Sequence, residues 1–494
     1  MGAGIAQVAA AAGHPVIIYD SRIEAVPKAI EEIRRNFEKL AAKGKLSAGV
    51  AESAAARLRG AASPQEFAKA GLVIEAIVED LEAKRRLFAE LEGIVDSGCL
   101  LATNTSSLSI TAIAAGLKSP QRLVGMHFFN PVPLMELVEV IGGLATDSHA
   151  LGVVHSTAAA WGKSPVFAKS TPGFIVNRVA RPYYGEALLL LTEQAASPAT
   201  IDAVMREAGG FRMGPFELMD LVGLDIGFAV SQSVFNAYFG DPRYRPAILQ
   251  QEMVRAGFLG RKAGRGFYEY GPGAPAPQPR TEQASPRPKR AVLPQAGPLA
   301  DALAHRLADS GVEVLRATNA RQQWIEVGDA VLAVTDGRSA ARRAFETERA
   351  NLVLADLALD YGKATRLAIA KSPGCEESAC LSVVGLLQAA GFAVSRMEDA
   401  PGLAVMRTVA MLANEGADAV HQGVATAADV DTAMRKGVNY PRGPMAWADS
   451  LGMETLHRVL SYLDAHYGGG RYRVSPRIGQ LLWSRGRFHE GIAG

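Results

Sequence analysis

Short apolar runs alternate with charged, helix-like segments over the first third of the chain. The runs are rich in Val, Ile and Leu, whereas residues 23–43 repeat their apolar positions with a helical period. Strands separated by helices are typical of a mostly parallel, doubly wound α/β sheet. The predicted strands are residues 15–20, 72–78, 100–102, 123–129 and 137–141.

The strand signals stop after residue 170. From residue 173 to about residue 257 the pattern predicts helices, with breaks at Ser197-Pro198, at Met213-Gly-Pro215 and at Asp241-Pro242. Proline interrupts a helix because it has no backbone N–H to donate to the helical hydrogen bonds. These proline-containing segments therefore separate one helix from the next. An all-α domain therefore follows the α/β domain.

The helical sequence occurs twice, at a constant spacing of 229 residues. A long match without gaps indicates a repeated structural domain. The matching pairs are Pro172-Gly173 with Pro401-Gly402, Arg178 with Arg407, Glu186 with Glu415, Asp202 with Asp431, Gly214-Pro215 with Gly443-Pro444, Asp220 with Asp449, and Gly223 with Gly452.

A proline-rich stretch and a second α/β region separate the two helical copies. The second region predicts strands at 312–317, 330–334, 352–357 and 392–395. Its opening offers Gly297 followed by Pro298 and no further glycine, so we expect it to bind no dinucleotide. The expected domains are an α/β domain (1–170), a helical domain (171–270), a proline-rich linker (271–290), a reduced α/β domain (291–399) and a second helical copy (400–494).

Composition narrows the classes of function. Lys plus Arg total 52 and Asp plus Glu total 50, so a broad basic surface for nucleic acid is not expected. No uncharged apolar run has the length needed to span a bilayer, so no membrane association is expected. Three scattered cysteines suit a reducing cytoplasm. No Cys/His cluster has the spacing of zinc ligands, so no metal is expected.

The N-terminal segment has part of a dinucleotide-binding pattern. A helix-like stretch begins at Gly2, and the next predicted strand ends at Asp20. An acidic residue there binds the ribose hydroxyls and repels a 2′-phosphate, which favours NAD over NADP. Gly2 would be the third glycine of G-x-G-x-x-G, so the first strand and most of the glycine loop are expected to be missing. Either the start is misassigned or shortened, or the chain is a damaged relative.

Four polar residues lie where strand ends of one sheet converge with the start of the helical domain. Histidine is the natural base for alcohol oxidation, because a model imidazole titrates near neutrality, and His127 is the candidate here. Glu139, one strand later, can fix the tautomer of His127 and favour the imidazolium. Ser106 and Asn177 can bond the reacting oxygens. Their segments are Asn104-Thr-Ser-Ser-Leu-Ser-Ile110, Gly125-Met-His-Phe-Phe-Asn-Pro131, Leu137-Val-Glu-Val140 and Thr171-Pro-Gly-Phe-Ile-Val-Asn-Arg178.

Together these segments resemble the 3-hydroxyacyl-CoA dehydrogenase family, especially the long bacterial 3-hydroxybutyryl-CoA and 3-hydroxyadipyl-CoA dehydrogenases. The resemblance covers nearly the whole chain. It implies NAD-dependent oxidation of (S)-3-hydroxyacyl-CoA to 3-oxoacyl-CoA, in fatty-acid or aromatic-compound (phenylacetate-type) catabolism. It also implies that His127 is the catalytic base, that Glu139 is its partner, and that Ser106 and Asn177 bind the substrate.

The resemblance further assigns a cofactor site and a CoA contact. The residues that match NAD contacts are Gly2, Asp20, Ala76, Glu79, Lys84, Asn104 and Ser106. The helix after Asp20 matches the family's CoA-binding arm, where Lys43 is the candidate phosphate contact and Lys39 or Lys45 would serve as well. Met406 stands where the first helical copy has Asn177, so the second copy is expected to be structural. It either replaces or extends a homodimer that shorter members form through their helical domains.

Two alternatives stay open at this point. One is a β-hydroxyacid dehydrogenase that acts on a free acid, although such enzymes typically use a lysine base. The other is a truncated, non-catalytic relative that binds CoA esters. Comparing activity on an acyl-CoA with activity on the free 3-hydroxy acid distinguishes the first alternative from an acyl-CoA dehydrogenase of this family. An NAD titration distinguishes the second, which would not bind NAD.

Overall fold

The computed structural model describes residues 1–319 and 322–489. The strands are β1 Val16–Ile18, β2 Leu58–Gly60, β3 Leu72–Glu75, β4 Leu100–Thr103, β5 Leu123–Phe128, β6 Leu137–Gly142, β7 Ser164–Lys169, β8 Arg290–Leu293, β9 Glu313–Arg316, β10 Ile325–Val327, β11 Ala330–Val334, β12 Leu352–Ala355, β13 Arg366–Lys371 and β14 Ala393–Arg396.

The α-helices fall into two groups along the chain. Those up to residue 255 are α1 Gly2–Ala11, α2 Ala25–Ala42, α3 Ala48–Ala56, α4 Leu81–Glu92, α5 Ile110–Ala114, α6 Ser148–Ala160, α7 Val176–Val179, α8 Arg181–Thr192, α9 Pro198–Glu207, α10 Pro215–Val222, α11 Leu224–Ala237 and α12 Ile248–Arg255. The later ones are α13 Pro298–Arg306, α14 Ala340–Thr347, α15 Glu377–Ala389, α16 Val405–His421, α17 Ala427–Val438, α18 Pro444–Leu451, α19 Met453–Tyr467 and α20 Pro476–Ser484.

These elements form two compact units. The first unit comprises Met1–Arg178 and Gln422–Val438. The second unit comprises Val179–His421 and the described residues from Asn439 on.

The first unit is an α/β domain around a five-stranded sheet of order β3-β4-β5-β6-β7. Its strands are parallel except for the antiparallel pair β5–β6. Helices α1 and α6 bury Ile5 and Val154 against sheet residues such as Val124 and Val138. The five strands predicted in this region are confirmed, whereas β2 and β7 are additional.

The strands β1 and β2 form a separate parallel pair. Among the described residues, no ladder of hydrogen bonds joins β1 to β3, so each of these strands has a partner on one side only. Buried backbone groups need such partners, which makes this break between the two sheets an unusual feature of the unit.

Helix α17 belongs to the first unit, although it lies within the predicted second helical copy. It packs on β6 and β7. A Cβ on Gly437 would come within 2.6 Å of Leu137 Cδ2, so the absence of a side chain there permits the close approach. The backbone N–H of Lys169 also donates to the carbonyl of Val424 at 2.9 Å.

The second unit combines helices with a seven-stranded sheet of order β14-β13-β12-β11-β10-β8-β9. The helical repeat is evident in the bounds, because α9 and α17, α10 and α18, and α11 and α19 begin 229 residues apart. Helix α16 is buried along most of its length and packs against α8.

The later part of the predicted linker is held against the reduced α/β domain rather than lying free. The N–H of Glu282 donates to the carbonyl of Val394 on β14, at 2.8 Å. The N–H of Ser285 donates to the side-chain oxygen of Gln388 on α15, also at 2.8 Å. The linker therefore adds an extended segment to that domain's surface.

Within the described part of the chain, no single helix has the length and apolar character to span a bilayer, and only the bent pair α10–α11 passes that test jointly. The three cysteines are buried and unpaired, and burial raises the pKa of each thiol, that of Cys380 to about 11.

Candidate active site

His127 and Glu139 face each other across the antiparallel strands β5 and β6, where they are register partners. The Nδ1–H of His127 donates to Glu139 Oε2 at 2.7 Å. Glu139 is fully buried and His127 is 6% exposed. The imidazole ring lies beside Phe129 and Phe174, with ring centroids 4.5 and 6.0 Å away. Because the carboxylate occupies Nδ1, the ring presents Nε2 as its proton acceptor.

Glu139 also binds the segment that carries Asn177. Its Oε1 accepts the backbone N–H groups of Ile175 at 2.9 Å and Val176 at 3.0 Å. The amide of Asn177 in turn donates to the carbonyl of Ser106 at 3.4 Å. The structure thus brings His127, Glu139, Ser106 and Asn177 together from β5, β6, the end of β4 and the start of α7.

The loop after β4 is organised around the Glu79 carboxylate. Glu79 Oε1 accepts the Thr105 hydroxyl at 2.7 Å and the N–H groups of Ser106 at 2.8 Å and Ser107 at 3.0 Å. Burial acts to raise the pKa of Glu79, but these hydrogen bonds and nearby Lys84 outweigh it, so the pKa lies below its usual value. Glu79 therefore stays ionised and holds Ser106 in place.

Lys84 is a buried cation between two carboxylates. It lies at the first turn of α4 and is 1% exposed. Its ammonium is 2.6 Å from Glu75 Oε1 and 3.4 Å from Glu79 Oε2. Glu75 also accepts the Thr103 hydroxyl at 2.7 Å. Sequence reasoning missed Glu75, although an acidic residue at the end of a buried strand is a signal that could have identified it.

The other predicted cofactor residues lie at the same edge of the domain or along its N-terminal elements. Asn104 Oδ1 accepts the N–H of Phe128 at 2.8 Å, which ties the end of β4 to β5. A Cβ on Gly2 would lie 3.9 Å from the Cβ of Ala76, so these two residues are neighbours. Lys43 caps the C-terminal end of α2 and is exposed. It takes no part in the hydrogen bonds that join His127, Glu139, Ser106 and Asn177.

The N-terminal elements suit the adenosine and diphosphate parts of a dinucleotide. The first turn of α1 leaves backbone N–H groups without intrahelical acceptors, and a helix N-terminus favours an anion. Gly2 and Gly4 lie in that turn; a Cβ on Gly2 would meet only Ala76 Cβ, at 3.9 Å, whereas a Cβ on Gly4 would come within 3.0 Å of Val132 Cβ. Asp20 lies just beyond β1, where its Oδ1 accepts the N–H of Arg22 at 2.9 Å. The residues present therefore fit such a group. The described residues include no group of three or more His, Cys, Asp or Glu side chains placed to hold a metal ion.

Three family descriptions match the chain. The "3-hydroxyacyl-CoA dehydrogenase, NAD binding domain" matches residues 1–171, and the "3-hydroxyacyl-CoA dehydrogenase, C-terminal domain" matches residues 173–270 and 402–489. The "3-hydroxybutyryl-CoA dehydrogenase reduced Rossmann-fold domain" matches residues 332–401.

Individual relatives agree with these descriptions. The 3-hydroxyadipyl-CoA dehydrogenase of Escherichia coli is 44% identical over 97% of this chain and 95% of its own length. A probable 3-hydroxybutyryl-CoA dehydrogenase of Deinococcus radiodurans is 43% identical over 55% of this chain and 96% of its own. The crystal structure of 3-hydroxybutyryl-CoA dehydrogenase from Escherichia coli K12 matches with a TM-score of 0.89 and 41% identity, covering 98% of this chain and 96% of that one.

Proposed function

Because the chain belongs to the 3-hydroxyacyl-CoA dehydrogenase family, we infer that it oxidises (S)-3-hydroxyacyl-CoA to 3-oxoacyl-CoA with NAD. It is an NAD-dependent oxidoreductase that acts on a CH–OH group. The observation that carries the catalytic assignment is the His127 Nδ1–Glu139 Oε2 hydrogen bond of 2.7 Å at the edge of the NAD-binding domain.

Proton transfer falls to His127. Its Nε2 accepts the proton of the C3 hydroxyl, and the Glu139 carboxylate stabilises the imidazolium that forms. The side chains of Ser106 and Asn177 hydrogen-bond the substrate oxygens. The two residues are held together by the bond from the Asn177 amide to the Ser106 carbonyl. NAD, when bound, supplies the acceptor for the hydride that leaves C3. In the reverse direction the imidazolium returns its proton to the 3-oxo oxygen.

Two groups of residues would hold NAD. The amides of the α1 first turn, beside Gly2, would meet the diphosphate, and Asp20 would accept the ribose hydroxyls. Ala76, Glu79, Lys84, Asn104 and Ser106 would surround the nicotinamide half. Lys43 would contact a phosphate of CoA.

A strand between β1 and β3 would complete the nucleotide-binding half. The support for this proposal is that β1 and β3 each lack a partner on one side. The strand would join the two sheets and lead into a glycine loop before Gly2. We expect NAD to bind more weakly to the 494-residue chain than to a version extended by a strand and a Gly-x-Gly loop. Equal affinities in a fluorescence titration would contradict this proposal.

The narrower assignments rest on likeness. We propose 3-hydroxyadipyl-CoA or 3-hydroxybutyryl-CoA as the substrate, because relatives carry those names. Fatty-acid or phenylacetate-type catabolism is proposed as the pathway that the family resemblance implies. We also propose a cytoplasmic location, which suits three buried free thiols, and a homodimer through the helical domains. Reaction rates on the two thioesters test the substrate, and the molar mass in solution tests the homodimer.

The function itself is tested by following NADH formation with an acyl-CoA and with the matching free 3-hydroxy acid. We expect turnover with the thioester and little with the acid. Replacing His127 with Gln should lower kcat by about 10²–10⁴-fold and leave CoA binding in place, since general-base catalysis contributes that range. A near-normal rate in this variant would exclude His127 as the base.

A further inference from the structure

The same left-handed turn opens both helical copies. In the first copy Gly173 and Phe174 have φ values of 77° and 47°. In the second copy Gly402 and Leu403, 229 residues later, have φ values of 76° and 52°. Non-glycine residues rarely adopt this region, so a turn that keeps Phe174 and Leu403 there needs stabilising contacts.

Each turn directs consecutive backbone N–H groups at one buried carboxylate. In the first copy Ile175 and Val176 donate to Glu139 Oε1, at 2.9 and 3.0 Å. In the second copy Ala404 and Val405 donate to Asp356 Oδ2, at 2.9 and 2.7 Å. Met406 adds a bond to Asp356 Oδ1 at 3.0 Å. Both carboxylates are fully buried.

The two carboxylates come from different places in the sheet: Glu139 lies on β6, whereas Asp356 directly follows β12. Glu139 is on β6 and pairs with Val166 on β7. In the second unit the equivalent of Val166 is Ser395, which pairs with Ala368 on β13. Ala368 therefore stands where the first domain has Glu139.

The same register extends from β13 to the end of β12. The N–H of Asp356 donates to the carbonyl of Ala368 at 2.9 Å, in the register that joins His127 to Glu139. Asp356 thus occupies the place of the histidine. Met406 occupies the place of Asn177.

The reduced α/β domain and the second helical copy thus lack the histidine, its carboxylate partner and the asparagine at the matching positions, yet a carboxylate still binds the turn. Among the described residues, no histidine lies at hydrogen-bond distance from Asp356; its side chain accepts only from backbone N–H groups, three of them in the turn. We propose that Glu139 has a second role beside its bond to His127: its Oε1 clamps the turn at residues 173–176 and thereby positions Asn177 for the substrate.

This inference rests on the proposed function only for its effect on the substrate. The clamp joins two parts of the site through one side chain. Oε2 fixes the base, and Oε1 fixes the start of α7, so the distance between the base and Asn177 depends on a single carboxylate. Loss of the clamp should therefore weaken substrate binding in addition to slowing proton transfer.

Two variants of Glu139 separate the two roles. In Glu139→Gln the amide oxygen still accepts from Ile175 and Val176, while the amide N–H₂ faces His127 Nδ1 and places the ring proton on Nε2. We expect kcat to fall by about 10²–10⁴-fold with KM within about twofold. In Glu139→Ala both roles are lost, so KM should also rise by about fivefold or more. With chemistry this slow, KM reports substrate affinity.

Hydrogen exchange measures the clamp without turnover. The amides of Ile175 and Val176 should exchange at least about tenfold faster in Glu139→Ala than in Glu139→Gln, because only the alanine variant leaves them without an acceptor. Asp356→Ala is the matched control: it should speed exchange at Ala404 and Val405 and leave kcat and KM unchanged. These readouts stand even if the chain shows no dehydrogenase activity, so failure of the function is distinguishable from failure of the clamp.

A double-mutant cycle with Asn177→Ala tests whether the clamp acts through Asn177. If it does, the KM of Glu139→Ala/Asn177→Ala should match that of Asn177→Ala alone, since coupled residues are not additive. Equal exchange rates and equal KM values in Glu139→Gln and Glu139→Ala would overturn the proposal. Fully additive KM effects in the cycle would overturn the positioning of Asn177.

Discussion

The ion cluster around Glu186 joins the two helical copies inside the second unit. Glu186 Oε2 accepts Arg407 Nε and the Tyr472 hydroxyl, both at 2.8 Å, and Oε1 accepts Arg471 Nη2 at 2.7 Å. Glu186 and Arg407 are fully buried. In Glu186→Gln the charge is lost, and the new N–H₂ group faces donors rather than acceptors.

The expected cost follows from the two guanidinium groups that the variant leaves facing each other. Removing one partner of a buried ion pair costs about 3–5 kcal/mol, because the remaining charge is desolvated without compensation. Arg407 keeps Glu193 as a partner at 2.9 Å, which favours the lower end of that range. At about 2.1 cal/mol/K per residue, a unit of about 300 residues shifts by about 1.6 °C per kcal/mol, so the second unit should lose roughly 5–8 °C in Tm.

Urea unfolding and calorimetry at neutral pH measure this loss. The matched control is Glu252→Gln, which breaks the exposed pair with Arg255 and should cost about 0–1 kcal/mol. A loss for Glu186→Gln that is no larger than the control's would refute the reasoning.

The pH dependence gives an independent check. Burial acts to raise the pKa of Glu186, but Arg471 and Arg407 outweigh it and hold the pKa below its usual 4.5. A lowered carboxyl pKa contributes stability above 4.5 that is lost as the pH falls through the folded-state pKa. The difference between wild type and Glu186→Gln should therefore narrow in acid, and a constant difference down to about pH 3 would contradict the assignment.

Two substitutions in the second unit and a deletion that reaches into both units test other parts of the protein. Burial raises the pKa of Asp202 to about 7, against its usual 3.8, so the unfolding free energy should fall as pH rises between these values, and Asp202→Asn should remove that slope in a pH series of urea melts. Gly385→Ala places a Cβ 2.1 Å from the carbonyl oxygen of Pro286, which should cost about 1–3 kcal/mol and expose the proline-rich segment to proteolysis; the same digestion pattern as wild type would contradict this. Deleting residues 400–494 should expose the apolar surface that α16 buries and cause aggregation, whereas a soluble and fully active product by size-exclusion chromatography would show that the second copy is dispensable.

Most strands were predictable because apolar runs between turn signals need burial on both faces. β7 was missed because Pro165 argues against a strand. In the structure β7 is the last strand of the five-stranded sheet's order, where proline is tolerated. β8 was missed because it begins at Arg290, at the end of the proline-rich stretch.

The His127–Glu139 pair was predictable from a local pattern, because neighbouring strands joined by a turn place such residues opposite each other. The bonds from Ile175 and Val176 to Glu139 were not, since backbone donors leave no trace in the side-chain sequence. The signal for Glu75 in the sequence is an acidic residue in a buried strand, but its pairing with Lys84 becomes evident only once α4 is folded against β3.

The position of α17 affects how the protein is made. About 260 residues separate Arg178 from Val438, yet both ends belong to the first unit. A ribosome adds about 5–20 residues per second, so the sheet face under α17 waits roughly 10–50 s for its cover during synthesis. Through that interval β6 and β7 present apolar surface to the cell, and chaperones that shield nascent chains have their longest opportunity to bind there.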